Sequence, residues 1–211
     1  MRAWCAPVFR NDARAASVAL LAYEAERPEQ DPQLSVQDSV PIVRDVLVIS
    51  GPCGAGKSTV GFECLELLEA GGVAAAMIDA ELAYFHPKPD DDPQGTRVAE
   101  QALAAVAPVY AAAGIERLLL PRVIERPRHL DIVRAAVPGA RFQIAWLDVP
   151  PETIAQRLAA REVGSALDWH LQRAEEIRSN ALAHDLFDFI IDGDRTVREV
   201  SQDVLAHAEW L

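Results

Sequence analysis

The sequence has little cysteine, a deficit of positive charge and no long hydrophobic run. Its three cysteines, Cys5, Cys53 and Cys64, are too few for a disulfide framework and show no zinc-site spacing. The sequence has 20 Lys and Arg residues and 32 Asp and Glu residues, which gives a net charge of -12. This negative charge argues against nucleic acids and anionic membranes as partners. No apolar stretch reaches the roughly 18 residues that span a bilayer. We therefore expect a cytoplasmic protein that binds neither nucleic acid nor membrane.

A change of pattern near residue 42 divides the chain. Residues 1–41 contain an Ala-rich stretch suited to one helix, followed by an irregular segment with several prolines. We interpret them as an N-terminal helical appendage and linker, which either packs on the rest of the chain or forms the contact of a homodimer. Residues 42–211 have the length of one ordinary domain.

After residue 42, short apolar runs alternate with longer amphipathic stretches, as in a parallel sheet with crossover helices. The predicted strands are Val43–Ser50, Val73–Asp79, Ile115–Leu120, Arg141–Asp148 and Phe187–Asp192. The predicted helices are Lys57–Ala70, Thr96–Ala113, Glu125–Val137, Pro151–Glu162, Leu167–His184 and Thr196–His207. This repeated order of strand and helix predicts a three-layer α/β domain.

The strongest motif in the chain is a phosphate-binding loop. Residues 51–58, with the sequence GPCGAGKS, match G-x-x-x-x-G-K-[ST] and directly follow the first predicted strand. In this motif the glycines let backbone N–H groups turn toward a phosphate chain, Lys57 reaches the β- and γ-phosphates, and Ser58 offers its hydroxyl to Mg²⁺. The predicted cofactors are therefore ATP and Mg²⁺. The predicted nucleotide-binding residues are Gly51, Cys53, Gly54, Ala55, Gly56, Lys57, Ser58 and Thr59.

The loop alone does not distinguish a kinase from a GTPase, a motor or a transporter ATPase. One domain is too small for motors and transporter subunits, and the sequence contains no Asn/Thr-Lys-x-Asp motif for reading guanine. Small kinases remain as the main class. A regulator that binds a nucleotide and has no acceptor remains as the alternative.

From Val43 to its C-terminus the chain resembles the small P-loop kinases of the nucleoside-monophosphate kinase superfamily. These include shikimate and gluconate kinases, adenylyl-sulfate kinase and chloramphenicol phosphotransferase. The resemblance rests on the phosphate-binding loop, on Ile78-Asp79 at the end of the second predicted strand, and on residues 146–161, WLDVPPETIAQRLAAR. It implies a five-stranded parallel sheet with the strand order 2-3-1-4-5 and an ATP-dependent transfer of a phosphoryl group. The segment after Arg161 has room only for a short lid.

Asp79 is the predicted catalytic base or substrate-orienting residue. It ends the second predicted strand, at the edge of the sheet where α/β proteins bind their ligands. A carboxylate at this position can accept the proton of an attacking hydroxyl, and an Asp at this place does similar work in the kinases that the chain resembles. The structural alternative is that Asp79 caps the next turn of helix.

Arg157 and Arg161 are the predicted clamp for the transferring phosphoryl group. They are four residues apart, so on one helix both guanidinium groups can reach the same anion. Asp148 ends an apolar run in the manner of a Walker B acid. The Pro-Pro-Glu that follows places it instead at the entry to the lid, and we do not assign it to the metal.

The acceptor pocket is predicted from residues beyond the second and third strands. Arginines there either hold an anionic acceptor or pair with a surface acid, and aromatic residues there either shape the pocket or fill the core. The predicted substrate-binding residues are Asp79, Glu81, Tyr84, Phe85, Arg97 and Arg122. We interpret Trp169 and His170, which follow the lid, as helix packing.

These observations predict an enzyme that moves the γ-phosphoryl group of ATP to a hydroxyl of a small molecule. The aromatic residues Tyr84 and Phe85 favour an antibiotic-inactivating phosphotransferase. A nucleotide or sugar-metabolite kinase is the alternative acceptor class, and a non-catalytic nucleotide-binding regulator is the alternative function.

Overall fold

A computed structural model describes residues 42–79, 86–92 and 95–211. The appendage predicted for residues 1–41 lies outside these residues, so its boundary stays a prediction. Within the described part of the chain, none of the helices has both the length and the apolar character needed to cross a membrane.

Strands and helices alternate along the described residues. The strands are β1 (Asp45–Ser50), β2 (Ala75–Met77), β3 (Arg117–Pro121), β4 (Arg141–Asp148) and β5 (Phe189–Asp192). The helices are α1 (Lys57–Ala70), α2 (Thr96–Ala112), α3 (Pro127–Ala136), α4 (Pro151–Ala159), α5 (Ser165–His184) and α6 (Val197–His207).

The five strands form one sheet in the order β2-β3-β1-β4-β5, and every pair is parallel. This arrangement confirms the predicted three-layer α/β fold and its strand order. Central strand β1 pairs on one side with β3, where Leu47 is opposite Leu119, and on the other side with β4. Because parallel strands all end at the same edge, the segments that follow β1, β2, β3 and β4 meet there.

Helices cover both faces of the sheet, which explains why the strands read as nearly continuous apolar runs. On one face Leu47 and Ile49 pack in a core cluster that includes buried residues of α1 and α6. On the other face Val46 and Val48 pack with buried residues of α2 and α3. Alternate residues of β1 therefore belong to two cores, and this fixes the register of the strand.

Most predicted element bounds differ from the observed ones by one or two residues, and the differences that bear on the site are those of β2 and α4. Strand β2 covers only Ala75–Met77 instead of Val73–Asp79, since it is an edge strand that pairs with β3 alone. Helix α4 ends at Ala159 and not at Glu162. The Leu158 carbonyl accepts hydrogen bonds from the N–H groups of both Arg161 and Glu162, at 3.1 and 3.0 Å, and so the last turn tightens and the chain leaves the helix.

A buried ion pair fixes helix α5 against the segment after β3. Glu125 is 4% exposed, and its Oε2 accepts hydrogen bonds from Arg173 Nη1 at 3.0 Å and from Asn180 Nδ2 at 2.9 Å. Arg173 Nη2 also contacts Glu125 Oε1. Burial alone would raise the pKa of Glu125, but the hydrogen bonds from Arg173 and Asn180 outweigh it and hold the pKa below its ordinary value.

We expect Glu125→Gln to lower the free energy of unfolding by about 2 kcal/mol, since it leaves the Arg173 charge without its buried partner. We place the effect below that of a fully buried pair because the Arg173 side chain is 28% exposed to solvent. The pKa of Glu125 is lower in the folded state than in the unfolded state. The stabilisation is therefore complete at pH values above the ordinary pKa of glutamate, and it is lost as the pH falls through the pKa of the folded state.

Urea unfolding at neutral pH and at about pH 3 measures both effects, and the difference between wild type and Glu125→Gln is expected to shrink in acid. Glu176→Gln is the matched control, since Glu176 also contacts Arg173, at 3.4 Å, but is 48% exposed. Equal destabilisation by the two variants would contradict the assignment of a buried stabilising pair.

Candidate active site

The phosphate-binding loop connects β1 to α1 and depends on glycine at two positions. Gly54 and Gly56 have φ values of 81° and 93°, a region that residues with a Cβ rarely adopt. A Cβ at Gly54 would also lie 3.1 Å from Leu158 Cγ, because the loop packs against α4. Helix α1 begins at Lys57, directly after the loop. The N–H groups of its first turn are therefore available to a phosphate bound at the loop.

A cavity of about 470 Å³ opens beside this loop at the carboxyl edge of the sheet. Nine residues predicted for the site line it, and three others complete it. The predicted ones are Cys53, Gly54, Gly56, Lys57, Ser58, Thr59, Asp79, Arg157 and Arg161, and the others are Pro121, Val123 and His170. The structure therefore brings the phosphate-binding loop, the predicted base and both predicted arginines to one cavity.

Gly51 and Ala55 were also predicted to bind the nucleotide, but both are buried in the loop and do not line the cavity. A Cβ at Gly51 would lie 3.1 Å from the Leu147 carbonyl oxygen and 3.2 Å from Ala55 Cβ. Gly51 therefore permits the loop to pack closely on β4.

Lys57 lies at the N-terminus of α1 with its ammonium group directed at the loop. Its Nζ donates to the carbonyl oxygens of Gly51 and Pro52, at 3.1 and 2.9 Å. Its pKa is lowered to about 8, mainly by burial and also by the charge of Arg161, while Cys53 and Asp79 oppose the shift. A bound phosphate chain would supply the anion that keeps this lysine charged.

We expect nucleotide affinity to fall as the pH rises above about 8, since the free protein then loses the Lys57 charge that binds phosphate. The decrease is at most about tenfold per pH unit, because one proton is linked to binding. Titrating the protein with ADP at several pH values between about 7 and 9.5 measures it. Lys57→Arg is the control, because arginine stays charged throughout this range. An equal loss of affinity in both proteins would contradict the assignment to Lys57.

Asp79 follows β2 and reaches the cavity because of the strand register. Met77 is opposite Leu119, so Asp79 lies two residues beyond, level with Pro121 at the end of β3. Its side chain is half-buried and lines the cavity, and its charge acts on Lys57. The predicted base therefore lies where a group could meet both the acceptor and the phosphate.

Arg157, on α4, connects two segments around the cavity. Its Nη1 donates to the Ala55 carbonyl oxygen in the phosphate-binding loop at 3.3 Å, and its Nη2 donates to the Gly193 carbonyl oxygen after β5 at 3.1 Å. Asp194 lies 3.9 Å away. Arg157 thus holds the loop in place as well as presenting its charge to the cavity.

Arg161 lies two residues past the end of α4 and not on the helix. Its Nε donates to Glu162 Oε1 at 2.8 Å, and its side chain is 58% exposed. The premise that both arginines share one helix face is therefore wrong. They still line the same cavity, because the tightened turn after Leu158 directs Arg161 back toward it.

The predicted acceptor residues are only partly described. Glu81, Tyr84 and Phe85 lie outside the described residues. Arg97 forms an exposed ion pair with Asp91 at 2.9 Å and does not line the cavity. Arg122 lies between the cavity residues Pro121 and Val123; it is half-buried, and burial lowers the pKa of its guanidinium.

His170 is the site residue that sequence reasoning missed. We predicted that it packs the helix, but it lines the cavity from α5. No signal in the sequence marks it, because its place depends on how α5 packs; its Nδ1 lies 2.5 Å from Glu162 Oε2.

The donors of the cavity fit Mg²⁺ held by a nucleotide rather than by a protein cage. No group of three or more His, Cys, Asp or Glu residues in the described part of the chain could hold a metal ion. The Ser58 hydroxyl and the Asp79 carboxylate both line the cavity, and oxygen is the ligand atom that Mg²⁺ prefers. Asp148, which we did not assign to the metal, pairs with Arg178 at 2.7 Å.

The sheet order, the glycine-dependent loop and the lysine at the start of α1 define a P-loop domain of the kinase-like type, which binds nucleotides. A family model described as an AAA domain matches residues 46–183, and the chain belongs to this family. None of the curated proteins matches the sequence significantly. The predicted resemblance to small P-loop kinases is thus confirmed for family and fold.

Three solved structures are similar to the chain in fold. The gluconokinase from Sinorhizobium meliloti 1021 is 18% identical, with a TM-score of 0.51, over 78% of this chain and 91% of that one. The tunicamycin resistance protein of Deinococcus radiodurans is 17% identical, with a TM-score of 0.57, over 80% and 97%. The APS kinase of Mycobacterium tuberculosis, solved with AMPPNP and APS, is 20% identical, with a TM-score of 0.56, over 80% and 99%.

Proposed function

We propose that the protein is an ATP-dependent kinase that transfers the γ-phosphoryl group to a hydroxyl of a small molecule. The observation that carries this proposal is the convergence of Lys57, Asp79, Arg157 and Arg161 on one cavity beside the phosphate-binding loop. A nucleotide-binding regulator without an acceptor would not need a base for an acceptor hydroxyl, which is the role proposed for Asp79.

In the proposed reaction the acceptor oxygen attacks the γ-phosphorus, and the bond from that phosphorus to the oxygen bridging it to ADP breaks. The proton of the acceptor hydroxyl passes to the Asp79 carboxylate. The bridging oxygen leaves with its electron pair as part of ADP. Asp79 also orients the hydroxyl, since it lies two residues beyond the end of β2 and lines the cavity.

The cations around the cavity stabilise the negative charge that spreads over the phosphoryl oxygens during transfer. Lys57 acts from the loop, and Arg157 and Arg161 act from the lid side. Ser58 would hold Mg²⁺ through its hydroxyl, and the bound ion would neutralise part of the phosphate charge.

The class of acceptor is the finer part of the proposal. The names of the similar structures, a gluconokinase, a tunicamycin resistance protein and an APS kinase, support a small polar acceptor. We propose a hydroxylated antibiotic first and a nucleotide or sugar acid second. Glu81, Tyr84, Phe85, Arg97 and Arg122 remain the proposed acceptor residues.

The test is the rate of ADP release from MgATP with and without a panel of antibiotics, nucleosides, nucleotides and sugar acids. The proposal expects at least one acceptor to raise the rate manyfold over the rate with water alone. Slow hydrolysis that no hydroxylated acceptor changes would favour the regulator and contradict the kinase.

A further inference from the structure

His170 lies on the same cavity as the groups of the proposed reaction, but nothing so far gives it a role. It lies in the second turn of α5 and lines the cavity with Lys57, Asp79 and Arg161. Its side chain is 30% exposed, so a ligand in the cavity could reach the ring.

Glu162 joins His170 to Arg161. Its Oε1 accepts the hydrogen bond from Arg161 Nε at 2.8 Å, and its Oε2 lies 2.5 Å from His170 Nδ1. The Glu162 side chain is only 16% exposed, so this carboxylate is held largely away from solvent between two groups that can carry positive charge. The three residues form one unit at the lid side of the cavity.

The contacts of Nδ1 decide which ring nitrogen of His170 is available to a ligand. Nδ1 lies 2.9 Å from the Ala166 carbonyl oxygen as well as 2.5 Å from Glu162 Oε2. Both neighbours are acceptors, so Nδ1 carries a hydrogen. That hydrogen bonds to the Ala166 carbonyl oxygen, and Glu162 Oε2, buried without a hydrogen bond of its own, is an ionic neighbour of the ring. The remaining nitrogen, Nε2, is the one that can meet a ligand in the cavity.

We propose that His170 binds the terminal phosphate of ATP through Nε2–H, with Glu162 as the positioning residue that holds the imidazole. Because a phosphate-binding loop cradles the α- and β-phosphates, we assign the γ-phosphate to the other cationic side chains that line the cavity, among them Arg161. Donation from Nε2 while Nδ1 keeps its hydrogen requires a second proton on the ring, which is taken up together with the phosphate. This inference rests on the nucleotide site of the proposed function.

Isothermal titration with AMPPNP and with ADP, both in the presence of Mg²⁺, tests this role without any acceptor. We expect His170→Gln in the full chain to weaken AMPPNP binding about tenfold, as loss of one charge-assisted hydrogen bond does, and to change ADP binding by less than about twofold. Glu162→Gln is expected to weaken AMPPNP about threefold and to spare ADP, because the ring keeps Nε2 but loses its anionic partner.

His184→Gln is the matched control, because His184 is an exposed residue of the same helix that does not line the cavity. Unchanged binding of AMPPNP by His170→Gln, or equal losses for AMPPNP and ADP, would overturn the proposal. If His170→Gln does not fold, Glu162→Gln decides by the same comparison of the two nucleotides.

The two proposals can fail separately. Selective loss of AMPPNP with no acceptor phosphorylated in the panel would support the role of His170 and contradict the kinase reaction. Acceptor phosphorylation with AMPPNP binding unchanged in His170→Gln would support the reaction and overturn the role of His170. A wild-type protein that binds neither nucleotide would overturn both.

Discussion

Lys57→Ala is expected to reduce phosphoryl transfer about a thousandfold, since it removes the charge that this motif supplies to the β- and γ-phosphates. Lys57 Nζ lies at the phosphate-binding loop, where it donates to the Gly51 and Pro52 carbonyl oxygens. Removal of the side chain also deprives bound nucleotide of its nearest cation. We therefore expect binding of both ADP and AMPPNP to weaken, by about a hundredfold.

The measurements are acceptor-dependent ADP release and nucleotide titration of the same preparation. Arg198→Ala is the control for loss of one positive charge, because Arg198 pairs with Glu63 on the surface and its side chain is 67% exposed. Near-normal transfer by Lys57→Ala would contradict the assignment of the loop as the catalytic phosphate site.

Asp79→Asn is expected to reduce transfer by between about a hundredfold and ten-thousandfold while leaving nucleotide affinity within about threefold of wild type. The amide keeps the size of the side chain but cannot accept the acceptor's proton. Asp79 lies near Lys57, and its negative charge repels the phosphates of a bound nucleotide. We therefore expect that removing this charge does not weaken nucleotide binding. The expected signature is therefore a fall in kcat with bound ATP intact.

Single-turnover transfer at saturating ATP, together with AMPPNP titration, separates these two effects. Asp131→Asn, at an exposed position of α3, is the control for the change of charge. A variant with normal transfer would show that Asp79 is not the base. A variant that has lost nucleotide binding would show that Asp79 acts through the metal or the loop.

Most of the fold could be predicted because local pattern and burial agree. Both faces of the sheet are covered, so central strands such as β1 and β4 are continuous apolar runs, and β4 was predicted with its observed bounds. Glycine marked the end of α1, which was likewise predicted at Lys57–Ala70. The edge strand β2 was predicted too long, since strand length at an edge depends on a single partner.

The site could be predicted where each residue's place follows from the end of a strand or from a contiguous motif. Lys57 and Asp79 satisfy this condition, and both line the cavity. The role of His170 could not be predicted from sequence, because it depends on how α5 packs. That packing is fixed by the contacts of Arg173 and Asn180 with Glu125, which join residues about 50 positions apart. Arg161 was predicted to line the site for the wrong reason, since the helix ends before it.

The most direct test of phosphoryl transfer to an organic hydroxyl follows the γ-phosphoryl group itself. ATP labelled in that group is incubated with wild-type protein and with each acceptor of the panel, and the label is separated into inorganic phosphate and phosphorylated organic product. The proposed function predicts label in one organic product, formed with ADP in equal amount and at a rate at least about a hundredfold lower with Asp79→Asn. Label that appears only as inorganic phosphate, at a rate that no acceptor alters, would contradict it.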